Sequence, residues 1–159
     1  MELDMKIISN ASIGMMNEVI RHICGEGGYC NYADLKQIID KDPHHQVNNG
    51  MRLGLIEKEN SKVFLTELGK KYEESDNDAR LAILREKVFD IKIFDICIKR
   101  LRAKKHLKRK KIGEIWEESK DRKYKKKSLN ENIRLIVKWL VELGYAEKLK
   151  DGNLKWKEG

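Results

Sequence analysis

Four polar side chains recur near the end of the chain at the spacing of successive helical turns. Lys127, Asn130, Arg134 and Lys138 follow one another at steps of three and four residues, and Glu131 lies on the same face. The apolar residues between them lie on the opposite side of the same predicted helix: Leu129, Ile133, Ile136, Val137 and Leu140. Arginine and asparagine on an exposed helix can hydrogen-bond base edges in the major groove, and lysine binds phosphates. The pattern predicts a DNA-reading helix, although each position also fits a solvated polar face.

A second set of this kind lies in the first half of the chain. His45, Asn49 and Arg52 fall at positions i, i+4 and i+7, and Val47 and Met51 lie on the other side of the predicted helix. These three side chains would form a second DNA-reading face. A neutral imidazole lacks the two-pronged hydrogen bonding of arginine, so we expect His45 to contribute less than an arginine would.

A pattern typical of a β-hairpin follows each of these helices. Residues 53–58 and 143–148 share the same order of apolar and charged positions, and the second hairpin turns at Asp151-Gly152, a strong hairpin signal. Four hairpin lysines are candidate phosphate contacts: Lys58, Lys62, Lys148 and Lys150. The expected strand pairings are residues 55–58 with 62–65, and residues 145–149 with 153–156.

The apolar spacing predicts three short helices before each hairpin. That order is typical of a winged helix-turn-helix, in which the hairpin is the wing. We therefore expect a mostly α chain of the α+β class with two small β-hairpin wings. The predicted units are residues 1–75 and residues 92–159, joined by a helical connector at residues 76–91.

Three motifs mark expected helix starts. Asp42 can cap a helix whose first turn begins at Pro43, and Thr66 can cap the helix after the first hairpin. Ser128 with Glu131 three residues later forms a capping box. We therefore expect the long DNA-reading helix of the second unit to begin after Ser128.

The chain lacks the sequence signatures of common catalytic sites. It contains no GxxxxGK[ST], HExxH or GxSxG motif, and no carboxylate cluster with a lysine that would hold Mg²⁺ in a nuclease. His22, Cys24 and Cys30 are candidate zinc ligands, but the sequence has no CxxC pair and no clear fourth ligand beside them. Free cysteines on a helix and in a turn explain the pattern equally well. We expect no enzymatic activity, no metal and no cofactor.

The charge of the chain favours a polyanionic partner. The formal net charge is +8, and much of the excess lies in residues 99–111 and 120–127. Lysine runs of this kind also occur as solvated faces. No apolar stretch approaches the ~20 residues of a membrane span, and the first residues do not resemble a secretory signal. We therefore expect a cytoplasmic chain that does not bind a membrane.

The wing-to-helix segment carries a family resemblance. Phe64-Leu65-Thr66-Glu67-Leu68-Gly69 resembles the LTxxG helix start of archaeal and bacterial winged-helix DNA-binding domains. Residues 65–89 also resemble the helical region after the wing in a domain associated with some transporter ATPases. The first resemblance implies a tandem winged helix-turn-helix protein that binds DNA.

The leading hypothesis is double-stranded DNA binding by a transcriptional regulator. One alternative is a tandem winged-helix adaptor that binds a protein partner, and another is a DNA-specificity component of a restriction system. Basic residues gathered on the third helix and hairpin of the second unit would favour DNA, whereas scattered ones would favour the adaptor. The sequence leaves the oligomeric state open.

Overall fold

The computed structural model describes residues 3–39 and 41–157. The chain forms two compact units, the first comprising residues 9–87 and the second comprising residues 3–8 together with residues 88–157. Within the described ranges, none of the helices combines the length and apolar character needed to cross a bilayer.

The first unit contains five helices and one small sheet. Its elements are α1 (Ile13–Gly25), β1 (Tyr29–Asn31), α2 (Tyr32–Ile39), α3 (His44–Arg52), β2 (Ile56–Glu59), β3 (Lys62–Leu65), α4 (Glu67–Glu74) and α5 (Asn77–Lys87). The sheet is antiparallel, with β3 between β1 and β2. The helix and strand side chains that face inward form the core, among them Met16, Ile20, Leu35, Val47, Leu55 and Val63.

The second unit repeats the first part of this order. A 3₁₀ turn (Val88–Asp90) precedes α6 (Lys92–Lys104), β4 (His106–Leu107), α7 (Arg109–Lys120), α8 (Lys126–Glu142), β5 (Ala146–Lys148) and β6 (Leu154–Trp156). Its antiparallel sheet has β6 between β4 and β5. Each unit is thus mostly helical, with one small antiparallel sheet of three strands.

Both predicted hairpins are present. Ile56 pairs with Leu65 in the first, and Ala146 pairs with Trp156 in the second. Each first strand begins one residue later than expected, because Leu55 and Tyr145 still bond the end of the preceding helix through their N–H groups. The sequence did not indicate β1 and β4, because strands of three and two residues are too short to display an alternating pattern.

The predicted connector, residues 76–91, is divided between the two units. Its larger part, α5, belongs to the first unit because Arg80 fastens it to the end of α4. The Arg80 guanidinium donates from Nε to the Tyr72 carbonyl (2.9 Å) and lies 3.2 Å from the Glu73 carboxylate. The 3₁₀ turn at Val88–Asp90 belongs to the second unit.

The helix starts agree with the sequence at Thr66, agree in part at Asp42 and differ at Ser128. Thr66 Oγ1 accepts the Gly69 N–H at 2.9 Å. An Asp42 carboxylate oxygen accepts the His44 N–H at 3.1 Å, but α3 begins at His44, with Pro43 at the cap position and not in the first turn. The prediction of a cap at Ser128 is wrong. The helix α8 begins about one turn earlier, after an extended Lys125 whose side chain does not cap it, so Ser128 lies inside the helix.

The wing-to-helix segment has a physical explanation in the first unit. Besides capping α4, the Thr66 hydroxyl donates to the Gly54 carbonyl at 2.6 Å, which joins the start of α4 to the end of α3. The helix α4 approaches Leu55 so closely at Gly69 that an added Cβ would overlap the Leu55 carbonyl. The threonine therefore fixes the helix start, and the glycine permits its close packing.

Replacing Thr66 with alanine should lower the free energy of unfolding by about 1–2 kcal/mol, the usual cost of losing a helix cap. Urea denaturation followed by far-UV circular dichroism measures the change. Thr66→Ser is the matched control, because it keeps the hydroxyl. A serine variant as unstable as the alanine variant would show that the threonine methyl group, and not the cap, carries the effect.

Candidate nucleic-acid interface

The four predicted side chains of the second unit lie together on α8. Lys127, Asn130, Arg134 and Lys138 are all exposed and occupy successive turns of one side of the helix. The opposite side is buried in the unit by Ile133, Ile136, Val137, Trp139 and Leu140. The structure thus confirms which side of α8 is exposed to solvent.

The start of α8 is unusually positive. Three consecutive lysines, Lys125, Lys126 and Lys127, occupy its cap and first positions, with no acidic residue in the first turn and no side-chain cap. The N-terminus of a helix already carries a partial positive charge, so cations there repel it. An anion bound at this end would relieve that repulsion.

A groove continues the cationic surface from α8 to the hairpin. Four cations line a depression of about 360 Å³ together with Val137, Val141 and Glu142 of α8: Arg134 and Lys138 of α8, Lys148 of β5 and Arg109 of α7. The groove brings two predicted α8 side chains together with one predicted hairpin lysine. Lys150 is also exposed but lies on the hairpin turn, outside this lining.

Arg109 was not singled out from the sequence. Its backbone N–H donates to the Asn153 side-chain oxygen at 3.0 Å, and its side chain passes so close to Gly152 that a Cβ there would come within 2.7 Å of Arg109 Cδ. The glycine of the hairpin turn therefore also leaves room for the arginine. Its position at the start of α7, inside a longer basic run, gave no signal that distinguished it from its neighbours.

The prediction that Asn49 and Arg52 are exposed is wrong. Both are buried, with 0% and 6% of their surface accessible. The Asn49 side chain accepts the Ser9 N–H at 2.8 Å and donates to the carbonyls of Ser9 and Ala11 at 3.0 and 3.2 Å. Arg52 donates to the Ser9 hydroxyl at 2.6 Å. These side chains hold the segment before α1 and do not face solvent.

His45 is half-buried at the start of α3, with its ring 3.8 Å from that of His44. Burial, followed by the neighbouring His44 charge, lowers the pKa of His45 below its usual value of 6.5. The lowered pKa favours the neutral imidazole, which makes His45 a poorer phosphate ligand than a lysine or an arginine.

The first hairpin has a mixed charge. Lys58 and Lys62 are exposed, and Lys58 Nζ lies 4.3 Å from the centre of the Tyr32 ring. The same hairpin carries Glu57 and Glu59, and Glu59 lies opposite Lys62 in the strand register. The two lysines are thus accessible but partly offset by neighbouring carboxylates.

Replacing Asn49 with alanine should lower the free energy of unfolding by about 2–3 kcal/mol, because it leaves buried polar groups without their partners. Duplex DNA affinity, measured by fluorescence anisotropy where the variant is still folded, should not change. Asn48→Ala is the control, with an expected change within about 0.5 kcal/mol. A stable Asn49→Ala variant with weakened DNA binding would instead show that Asn49 takes part in DNA binding.

A comparison with known protein families identifies the chain. The profile of the C-terminal AAA-associated domain matches residues 33–149, well over half of its length. The chain belongs to this family. No curated protein and no solved structure matches it.

In this AAA-associated domain the two units differ in charge. Residues 9–87 contain 11 Lys and Arg against 13 Asp and Glu, whereas residues 2–8 and 88–159 contain 23 against 13, which accounts for all 34 basic and 26 acidic residues. The entire positive excess therefore lies in the second unit.

The structure also bears on the candidate zinc ligands His22, Cys24 and Cys30. Within residues 3–39 and 41–157, no three His, Cys, Asp or Glu side chains come together as a group that could hold a metal ion. Cys24 is exposed near the end of α1, whereas Cys30 is buried in β1.

Proposed function

We propose that the chain is a tandem winged helix-turn-helix protein that binds double-stranded DNA through its second unit and acts as a transcriptional regulator. The α8 face would enter the major groove, with Arg134 and Asn130 on base edges. Lys127, Lys138 and the hairpin lysines would bind phosphates and set the register.

One observation carries this proposal: two units with the same helix and strand order differ in the use of their third helix. In the first unit, the side chains of Asn49 and Arg52 on α3 form hydrogen bonds within the unit. In the second unit, the corresponding helix exposes Lys127, Arg134 and Lys138. The unit with the exposed cationic helix is also the one with the whole positive excess.

The charge placement favours DNA over the adaptor alternative. Six cations of the second unit lie on the α8 face, at the start of α7 or on the hairpin: Arg109, Lys127, Arg134, Lys138, Lys148 and Lys150. Lys120, by contrast, is paired with Asp4 at 2.9 Å. A set of cations gathered beside an exposed helix is typical of a phosphate-binding surface.

The adaptor remains the second candidate because of the family. Its description names an association with AAA proteins, and the matched residues 33–149 extend over parts of both units. The two functions are compatible, since the first unit, with nearly balanced charge, could bind a protein of the AAA class while the second binds DNA.

The test is a salt series with a random-sequence duplex and the full chain. If the six cations each neutralise one phosphate, the logarithm of the binding constant should fall with the logarithm of salt concentration at a slope of about −5. A slope near zero, or no binding at about 50 mM salt, would reject the DNA proposal and favour the protein-binding adaptor.

A further inference from the structure

A second cationic groove lies where the end of α6, the strand β4 and the start of α7 meet. Six basic side chains line it: Arg100, Lys104, His106, Lys108, Lys110 and Lys111. The volume of about 340 Å³ is within the range of small-ligand sites, about 300–1,000 Å³. We call this groove the α6–α7 corner. None of the DNA-reading side chains of α8 lines it.

The α6–α7 corner has too few carboxylates to balance its charge. Glu114 is the one acidic residue of the lining, and it pairs with Lys111 at 3.5 Å. Within the described parts of the chain, Arg100, Lys104 and Lys110 make no ion pair with a carboxylate. Like charges held around one groove repel each other, so the folded unit is stabilised when an anion enters.

The backbone at the α6–α7 corner adds to this field. The helix α7 begins after Lys108 without a side-chain cap, and its first turn contains no acidic residue. The N–H groups of Lys110 and Lys111 have no acceptor among the described residues. They add hydrogen-bond donors and the partial positive charge of the helix end to the lysine and arginine side chains.

We propose that the α6–α7 corner is a second anion site, which binds a run of closely spaced phosphate groups. Several flexible lysines around a compact volume suit the high charge density of phosphates, and an arginine can add a two-pronged contact. This site is separate from the DNA-reading face, and its existence does not depend on the DNA proposal. The phosphates come either from a nucleic-acid backbone or from a free polyphosphate compound.

The test is isothermal titration calorimetry of the full chain with inorganic tripolyphosphate. Saturable binding to one site is expected, and the triple variant Arg100→Ala/Lys104→Ala/Lys110→Ala should weaken it at least about tenfold through loss of charge-assisted contacts. All three side chains are exposed, so circular dichroism should report an unchanged fold. The matched control is Arg21→Ala/Lys36→Ala/Lys71→Ala, which removes the same charge from exposed positions of the first unit and should bind with nearly unchanged affinity.

Several results would overturn the proposal. Absence of saturable binding would do so, and so would equal weakening by both triple variants, because the anion would then respond only to net charge. Citrate is the probe for phosphate selectivity, and citrate binding as tight as tripolyphosphate binding would also contradict the proposal.

A competition experiment identifies the phosphate source. It uses the α8 triple variant, Lys127→Ala/Arg134→Ala/Lys138→Ala, which removes the proposed DNA contacts of α8. Displacement of tripolyphosphate by a duplex assigns the α6–α7 corner to a nucleic-acid backbone, whereas displacement by a nucleoside triphosphate but not by a duplex assigns it to a free polyphosphate compound. If this variant loses DNA binding but still binds tripolyphosphate, the result supports DNA binding by α8 and an independent anion site at the α6–α7 corner.

Discussion

Replacing Arg134, Lys138 and Lys148 together with alanine should weaken duplex DNA binding by about two to three orders of magnitude. The three cations line one groove between α8 and the hairpin. Loss of an arginine on a base edge costs about 1–3 kcal/mol, and each lysine removed from a phosphate adds to that loss. The slope of the salt dependence should become less steep by two to three units.

The matched control removes the same charge from the first unit. Arg21, Lys36 and Lys71 are exposed, and their replacement by alanine should change the affinity by less than about threefold. Anisotropy with one labelled duplex at matched salt compares the two variants. Equal losses would mean that only net charge matters, and no loss in the groove variant would remove α8 from the DNA-binding face.

Replacing Gly69 with alanine should lower the free energy of unfolding by about 3 kcal/mol, toward the upper end of the usual costs of overpacking. The added methyl group would overlap the Leu55 carbonyl oxygen, a backbone atom that cannot rotate away. The same carbonyl accepts the Thr66 N–H at 3.1 Å, so a shift of α4 also strains the helix cap. Tyr72, fully buried one turn later in α4, would move with it.

Gly25→Ala is the control for that substitution. Gly25 is also helical, and a Cβ built there meets no atom within 4 Å, so alanine should be neutral or stabilising by up to about 1 kcal/mol. Urea denaturation of both variants gives the comparison. Similar stabilities of the two variants would mean that α4 moves away from Leu55 without cost.

Local patterns in the sequence predicted the elements that depend on short-range chemistry. The first hairpin followed from its apolar and charged order, and the second also from Asp151-Gly152, where Gly152 has a positive φ of 86°. The threonine cap at Thr66 followed from its type and place. Such features depend on neighbours in the chain, which a sequence displays directly.

The side chains of α3 could not be placed from the sequence because their partners are distant in the chain. The helical spacing put Asn49 and Arg52 opposite Val47, which would make them exposed if the core lay on one side only. The segment at Ser9 and Ala11 packs on that other side, about 40 residues away in sequence. A polar helix face that meets the backbone of another segment has the same sequence pattern as one that meets solvent.

A ¹H–¹⁵N NMR titration of the full chain with duplex DNA locates the DNA-binding surface directly. If the second unit binds DNA through α8, the amide signals of residues 127–138 and of the β5–β6 hairpin should change most, while those of residues 44–52 stay in place. Changes concentrated in residues 44–52, or no changes at all at low salt, would contradict the assignment of DNA binding to the second unit.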